Sequence, residues 1–431
     1  MTQRARIARH TRTTPTPGTP RRTARPATAA AALLVAGLTA TTACSAAPDT
    51  AEHKPAQPPA SHGTPHRVPS GPAPAHSPAG GGAAGPRPFT LAASGDVLPH
   101  SSIIRRAQAD AGGDGYDFAP MLAGAKPVIS KADLAICHME TVYGADGDYS
   151  GYPSFKSPPQ VARALKATGY DSCSTASNHT LDAGAAGVRR TLDALDKAGV
   201  KHAGSARSAA EDKEPAWLRA GGAKVAQLAY TYGTNGYPLP QGKPWTVDLM
   251  RRDKIIADAR AARKAGADVV VVSLHWGTEW QDAPDRQQLT LGKQLTASRT
   301  AGRPDIDLIL GTHAHVPQAY EKVGGRGGTW VIYGMGDQIA GDMINHDGAH
   351  DPRGNQGSIG RFTFSPPARP GARWEVTKAE FLPMWFNTDS GRVVNLNRAL
   401  ERGAEVGGIR DRIRRVVLSR GAGASGLVMG K

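Results

Sequence analysis

His313 and His315 stand one residue apart in Gly311-Thr312-His313-Ala314-His315-Val316, directly behind an apolar run at 306–310 that reads as a buried strand. In an extended or turning backbone, side chains at i and i+2 face one way, and neutral imidazole is the commonest protein ligand for borderline transition metals. Taken alone, the pair fits structural histidines at a strand end equally well. The arrangement recurs upstream, however: runs at 89–94, 134–137, 171–176 and 268–274 lead to Asp96, to Glu140, to Asn178-His179 and to His275. Each of these residues also has a plainer reading, Asp96 as a helix cap, Glu140 and Asn178 as partners of turn backbone. Together, two carboxylates, one amide oxygen and three or four imidazoles suit a pair of divalent ions. Two ions about 3.5–4 Å apart would clamp the attacking and leaving oxygens of a phosphoryl-type displacement.

Such a set converges only if the elements behind it form one sheet system. Helical patterns follow the strands: 103–110, 117–130, a helix opened by Ser157-Pro158-Pro159, and a stripe Leu181, Ala185, Val188, Leu192 and Leu195 that stops at Gly199. Residues 225–230 read as a strand, and 248–265 and 285–300 as helices. After His315 the pattern changes to short runs at 316–322, 329–334, 359–365 and 373–383, which predict antiparallel strands joined by Gly-rich turns. The expected architecture is a layered α/β sandwich in one domain, residues 89–400, with a C-terminal helix and tail over 401–431. In α/β sheets ligands gather at the carboxyl ends of strands, where all the candidate residues fall. The tail carries Ile409, Ile413, Val416 and Val417 on one face and Arg410, Arg412, Arg414 and Arg415 elsewhere, as a docked helix with a solvated basic face would.

The chain has 431 residues and a formal charge of +15. Seven arginines and no acid precede an uncharged stretch at 27–43 that closes on Cys44. A basic region, a short apolar region and small residues form an export signal over 1–43. Thr41-Thr42-Ala43-Cys44 resembles a bacterial lipoprotein box, so Cys44 is the expected lipid attachment point and the protein is expected outside the cytoplasm, held at the membrane. Without that signal the charge is about +8, and nucleic acid is not an expected partner. Residues 44–88, rich in Ala, Pro and Gly with few apolar side chains, predict a disordered linker. Cys137 and Cys173 fall in predicted strands; a disulfide and two buried thiols both fit.

The ordered set of motifs resembles the CapA family: Gly95-Asp96-Val97, Met139-Glu140-Thr141, Asn178-His179-Thr180-Leu181-Asp182, His275-Trp276-Gly277-Thr278-Glu279-Trp280, Gly311-Thr312-His313-Ala314-His315-Val316 and Tyr333-Gly334-Met335-Gly336-Asp337. These are bacterial capsule-synthesis proteins associated with poly-γ-glutamate formation. The resemblance implies a calcineurin-like metallophosphoesterase fold, a four-layer α/β/β/α sandwich with a dinuclear site for Mn, Fe or Zn. It implies Asp96 and His315 on one ion, Glu140 bridging, and Asn178, His275 and His313 on the second. His179 would be the catalytic residue beside the substrate. Asp182 and Glu279 would orient imidazoles, His100 would line the substrate side or support the ligands, and Trp276 would do the same or pack as core or pocket wall. Three positions depart from the pattern. Leu98 stands where a metal-binding histidine is usual, with His100 the nearest substitute. His138 replaces an asparagine and either adds a ligand or, the favoured reading, points into the core, and Asp337 replaces a terminal asparagine. The function implied is a metal-dependent hydrolase or transferase acting on an envelope or capsule polymer or a phosphoester. The alternative is a non-catalytic assembly or export factor that holds an anionic polymer in the same cleft.

Overall fold

The computed structural model describes residues 85–369 and 371–431. The export signal, Cys44 and most of the linker lie outside the described residues.

Two sheets carry the fold. In the first, hydrogen-bonded neighbours run Arg392–Asn395, Glu375–Asn387, Gln356–Ser365, Phe89–Leu98, Leu134–Met139, Ser172–Ser174 and Lys201–Ala203; Asp337–Ala340 also pairs with Phe89–Leu98, and Leu427–Met429 with Glu375–Asn387. In the second the order is Tyr320–Val323, Thr329–Ile332, Leu308–Thr312, Val269–His275, Ala223–Thr231 and Ala216–Ala220. The four strands from Phe89–Leu98 to Lys201–Ala203 are parallel, as are the four from Ala223–Thr231 to Thr329–Ile332. Their carboxyl ends therefore open on one side of each sheet.

The period-two alternation of strands separates the cores. Val269 and Val271 join Leu91, Ala93, Ile136, Leu308 and Leu310 between the sheets. Val270 and Val272 face the other way, onto Ile255 and Ala259 of the helix Arg252–Lys264 and Leu295 of the helix Arg286–Ala297. On the outer face of the first sheet, Ala92, Ala135 and Cys137 pack on Ile103, Leu165, Val188 and Leu192 from three helices. Helix, sheet, sheet, helix is the four-layer α/β/β/α order expected. Each fully buried valine or leucine in these layers contributes roughly 1.5–3 kcal/mol.

Several expectations need correction. The helix expected over 117–130 is a single 3₁₀ turn, Pro120–Leu122, and a short helix, Lys126–Ile129. Gly124 interrupts it, where the chain passes so close to Val393 that a Cβ would lie 1.9 Å from that carbonyl oxygen. The run at 329–334 is not purely antiparallel, because Thr329–Ile332 pairs in parallel with Leu308–Thr312. A further strand, Ala216–Ala220, forms an antiparallel hairpin with Ala223–Thr231 across Gly221-Gly222, both at positive φ. Within residues 401–431 the expected helix is docked on the domain. The helix Gly407–Val417 sends Ile413 and Val417 into the inter-sheet core, and Leu427–Met429 completes an edge of the first sheet. Cys137 and Cys173 face each other across paired strands, Cα atoms 4.4 Å apart, and form a disulfide.

Candidate metal centre

Asp96 sits where two backbones come unusually close. A Cβ on Gly95 would lie 1.7 Å from the Gly336 carbonyl oxygen, so glycine is required there. That oxygen accepts from Asp96 N–H at 3.1 Å, and the parallel registers set Asp96 beside Asp337 and His138. Across the cleft the strand Leu308–Thr312 ends before the two histidines. His313 (φ 92°) and His315 (φ 57°) both adopt left-handed backbone, so they converge through a strained turn and not through strand alternation. Asn235 and Trp280, also left-handed, border the same site. Strain of about 1–3 kcal/mol per residue persists only where surroundings enforce it, and it concentrates at functional sites.

The side chains are buried and close together. Asp96 Oδ2 accepts from His313 N–H at 3.1 Å, and its Oδ1 lies 3.7 Å from His138 Nε2. Glu140 Oε1 lies 3.7 Å from His275 Nε2 and 4.0 Å from His315 Nε2. His275 Nε2 is 2.9 Å from Asn178 Oδ1, and its Nδ1 is 3.0 Å from Thr312 Oγ1. His315 Nδ1–H donates to Asp337 Oδ1 at 3.0 Å, which turns Nε2 toward Glu140.

Asp96 Oδ1, His138 Nε2, both Glu140 oxygens, His313 Nδ1 and Asp337 Oδ2 have no hydrogen-bond partner. Leaving one such buried group unmet costs about 1–3 kcal/mol, and more when it is charged. Separations of 3.7–4.0 Å are too long for hydrogen bonds. Atoms this far apart, below the limit of about 4.2 Å, can still each reach about 2.1 Å to an ion between them. Among the described residues, three groups of ligand atoms lie within 4.8 Å of one another: Asp96, His138 and His275; Asp96, Glu140 and His315; and Glu279, His313 and His315. The donor set fits divalent metal.

Electrostatics agree. Burial, reinforced by neighbouring carboxylates, pushes Asp96 and Glu140 well above the ordinary carboxylate value. Burial opposes a charge on His315, but the carboxylates of Asp337, Glu140 and Asp96 outweigh it and raise that imidazole well above its usual value. Burial and then surrounding imidazoles drive His275 and His313 well below theirs. A divalent ion among them would favour the ionised carboxylates and the neutral imidazoles.

His179 stands at the edge of this cluster. Its Nδ1–H donates to Asp182 Oδ2 at 2.6 Å, and the same carboxylate accepts from Phe155 N–H at 2.7 Å. Asn235 Nδ2 approaches His179 Nε2 at 3.5 Å. A cavity of about 390 Å³ opens from here, lined among others by His100, Phe155, His179, Trp280 and His315.

The family model described as bacterial capsule synthesis protein PGA_cap matches residues 90–342. The chain belongs to this family. Capsule biosynthesis protein CapA of Bacillus anthracis is 30% identical over 166 residues, 38% of this chain and 39% of its own length. PGA biosynthesis protein CapA of Bacillus subtilis is 27% identical over 182 residues, 42% of this chain and 45% of its own. The chain thus spans less than half the length of either relative. Among solved structures, one described as a novel phosphatase from Mycoplasma pneumoniae is 14% identical, with a TM-score of 0.42 over 75% of this chain and 99% of that one.

Within this PGA_cap chain, Asp96, Glu140, Asn178, His275, His313 and His315 come together, with His179 and Asp182 beside them. Other residues fall differently from expectation. His138 does not point into the core but into the ligand cluster. Trp276 is no part of the substrate side: it is fully buried behind the second sheet, stacks on Tyr333 and donates its indole N–H to the Tyr333 carbonyl at 2.9 Å. Glu279 orients no imidazole of the cluster. Its carboxylate lies within ligand range of His313 and His315, and 3.7 Å from His346 Nε2. His100 does not join the ligand atoms; its Nδ1 accepts from Gly341 N–H at 3.1 Å in the cavity wall. Leu98 packs with Phe155, Ala340 and Met343. Asp337 and Tyr232, whose ring lies 4.4 Å from that of His313, were not singled out as site residues. The Gly336-Asp337 motif carried a signal for the first; nothing marked the second.

Proposed function

We propose that this PGA_cap protein is a divalent-metal-dependent hydrolase or transferase that acts outside the cytoplasm on a phosphoester or acyl-type bond of a capsule or envelope polymer. The observation that carries the reading is the set of buried nitrogen and oxygen atoms 3.7–4.0 Å apart at the carboxyl ends of both sheets, with Asp96 Oδ1, His138 Nε2 and both Glu140 oxygens unpartnered. When bound, two divalent ions supply charge neutralisation at the reacting group and a water nucleophile at neutral pH. Asp96, Glu140, Asn178, His275, His313 and His315 would hold them.

His179 supplies the proton. Asp182 fixes its Nδ1–H, so Nε2 is the atom free to exchange a proton at the reacting group. In hydrolysis the bond from phosphorus or acyl carbon to the leaving atom breaks and the oxygen of water takes its place. Proton transfer from protonated Nε2 leaves the departing atom neutral. The strained backbone at His313 and His315 holds the ligands without reorganisation.

The anchoring proposal rests on the apolar stretch that ends at Cys44. Cys44→Ser should release the protein from the membrane fraction, whereas unchanged partitioning would refute lipidation there. For the activity, metal-loaded protein is assayed against a phosphodiester and a γ-glutamyl peptide. Turnover that disappears in His179→Ala with metal retained supports the enzyme. A metal-loaded protein inert toward both substrate types, yet retaining γ-linked polyglutamate, favours the binding factor.

A further inference from the structure

His138 is a buried imidazole with its two nitrogens in unlike surroundings. Nδ1 lies 2.8 Å from Ser174 Oγ, and Nε2 has no partner. The Ser174 hydroxyl donates to the Cys137 carbonyl at 3.4 Å. Its lone pair is then free to accept, so the proton of a neutral His138 belongs on Nδ1 and Nε2 presents a bare lone pair. That lone pair faces Asp96 Oδ1 at 3.7 Å, an acceptor opposite an acceptor. A histidine kept for packing alone would bond through both nitrogens or avoid the carboxylate.

The backbone fixes this placement. In the parallel registers His138 stands beside Asp96 on one side and Ser174 on the other, one residue after the Cys137–Cys173 disulfide. The ring also stacks on His275 with centroids 4.7 Å apart. A ligating histidine usually donates its second ring N–H to a fixed acceptor, as Nδ1 does here. Position 98, where the resemblance implies a histidine, is a leucine closed into an apolar cluster.

We propose that His138 Nε2 is a ligand of the ion that Asp96 holds, taking the part of the histidine absent at position 98, an assignment that rests on the metal-site reading above. Ser174 is the positioning residue that sets its tautomer.

The test is cobalt(II) titration of the full chain, followed by visible absorption and by ions counted per protein, with no activity readout. His138→Asn keeps a short polar side chain and is compared with wild type at equal secondary-structure content. Wild type should take up two ions, and the variant should hold one of them at least about tenfold more weakly, with the absorption of that site altered. Equal affinity and spectrum in both proteins would overturn the assignment while leaving the metal site intact. A wild type that binds no cobalt would overturn the metal-site reading and this assignment with it. Should the variant not fold, cadmium-loaded wild type with isotope-labelled histidine decides by nuclear magnetic resonance: cadmium–nitrogen coupling at His138 Nε2 is expected, and its absence at a filled site overturns the proposal.

Discussion

The strand Leu308–Thr312 has buried charge at both ends, handled in opposite ways. At its start, Asp307 is fully buried and each oxygen has a donor: Val270 N–H at 2.9 Å and Arg263 on one, Arg373 Nε at 3.2 Å on the other. At its finish, His313 and His315 meet Asp96 and Glu140, where oxygens and nitrogens remain unmet. Burying charge is costly in both places, and only at the first does the protein itself supply the compensation. The start of the strand is complete as it stands. The finish leaves oxygens and nitrogens that a divalent cation would satisfy.

Substitution at the two ends should therefore separate stability from metal. Asp307→Ala leaves Arg263 and Arg373 without their carboxylate and should cost about 3–5 kcal/mol in denaturant unfolding, with metal per folded chain unchanged. Asp96→Asn should leave metal-free stability equal or higher, because it removes a carboxylate with an unmet oxygen, and should lose bound metal. Similar destabilisation of both metal-free variants would erase the distinction.

The disulfide provides the next largest effect. It pins the two strands that carry His138 and Ser174 across a sequence separation of 36 residues. Replacing both cysteines by alanine should lower stability by about 2–4 kcal/mol, read as a shift in the denaturant midpoint.

A pH titration of the metal-free protein reaches the cavity wall. Burial pushes His100 down to about 4 from its ordinary 6.5. Below pH 6.5 the unfolded chain takes a proton that the folded chain refuses until about pH 4. Stability from this group is thus full above that window and is lost as pH falls through it. His100→Gln should flatten the slope there, by at most about 1.4 kcal/mol per pH unit. An unchanged slope would mean that His100 takes its proton as freely folded as unfolded.

The smallest effect belongs to the C-terminal helix. Arg412 donates to Asp282 at 2.6 Å and to Gln356 at 2.7 Å. Arg412→Ala should cost no more than about 1 kcal/mol, and less in high salt.

What could be read from sequence follows from how local each cause is. The ligand-bearing strand ends were legible because runs such as Val269–His275 are β-branched and buried on both faces. Trp276 could have been excluded by alternation, since His275 faces the cleft and its neighbour must face away. The same parity applied to His138: Cys137 packs toward the helices, so His138 and Glu140 share the other face. The turn at His313 and His315 was illegible, because left-handed backbone on two histidines is imposed by tertiary contacts such as the Asp96–His313 N–H bond. Asp337 acquires its role through a register with Asp96, 241 positions earlier in the chain, which no local pattern encodes.

The most direct test counts ions in the protein reconstituted with Mn, Fe or Zn, in wild type and in His313→Ala with His315→Ala. Two ions per wild-type chain are expected, with a thermal midpoint that falls when a chelator removes them. The double variant should bind none tightly while keeping the fold, which rests on Ile306, Leu308 and Leu310 in the cores. A wild type that binds no divalent ion, and whose midpoint chelation leaves unmoved, would contradict the account.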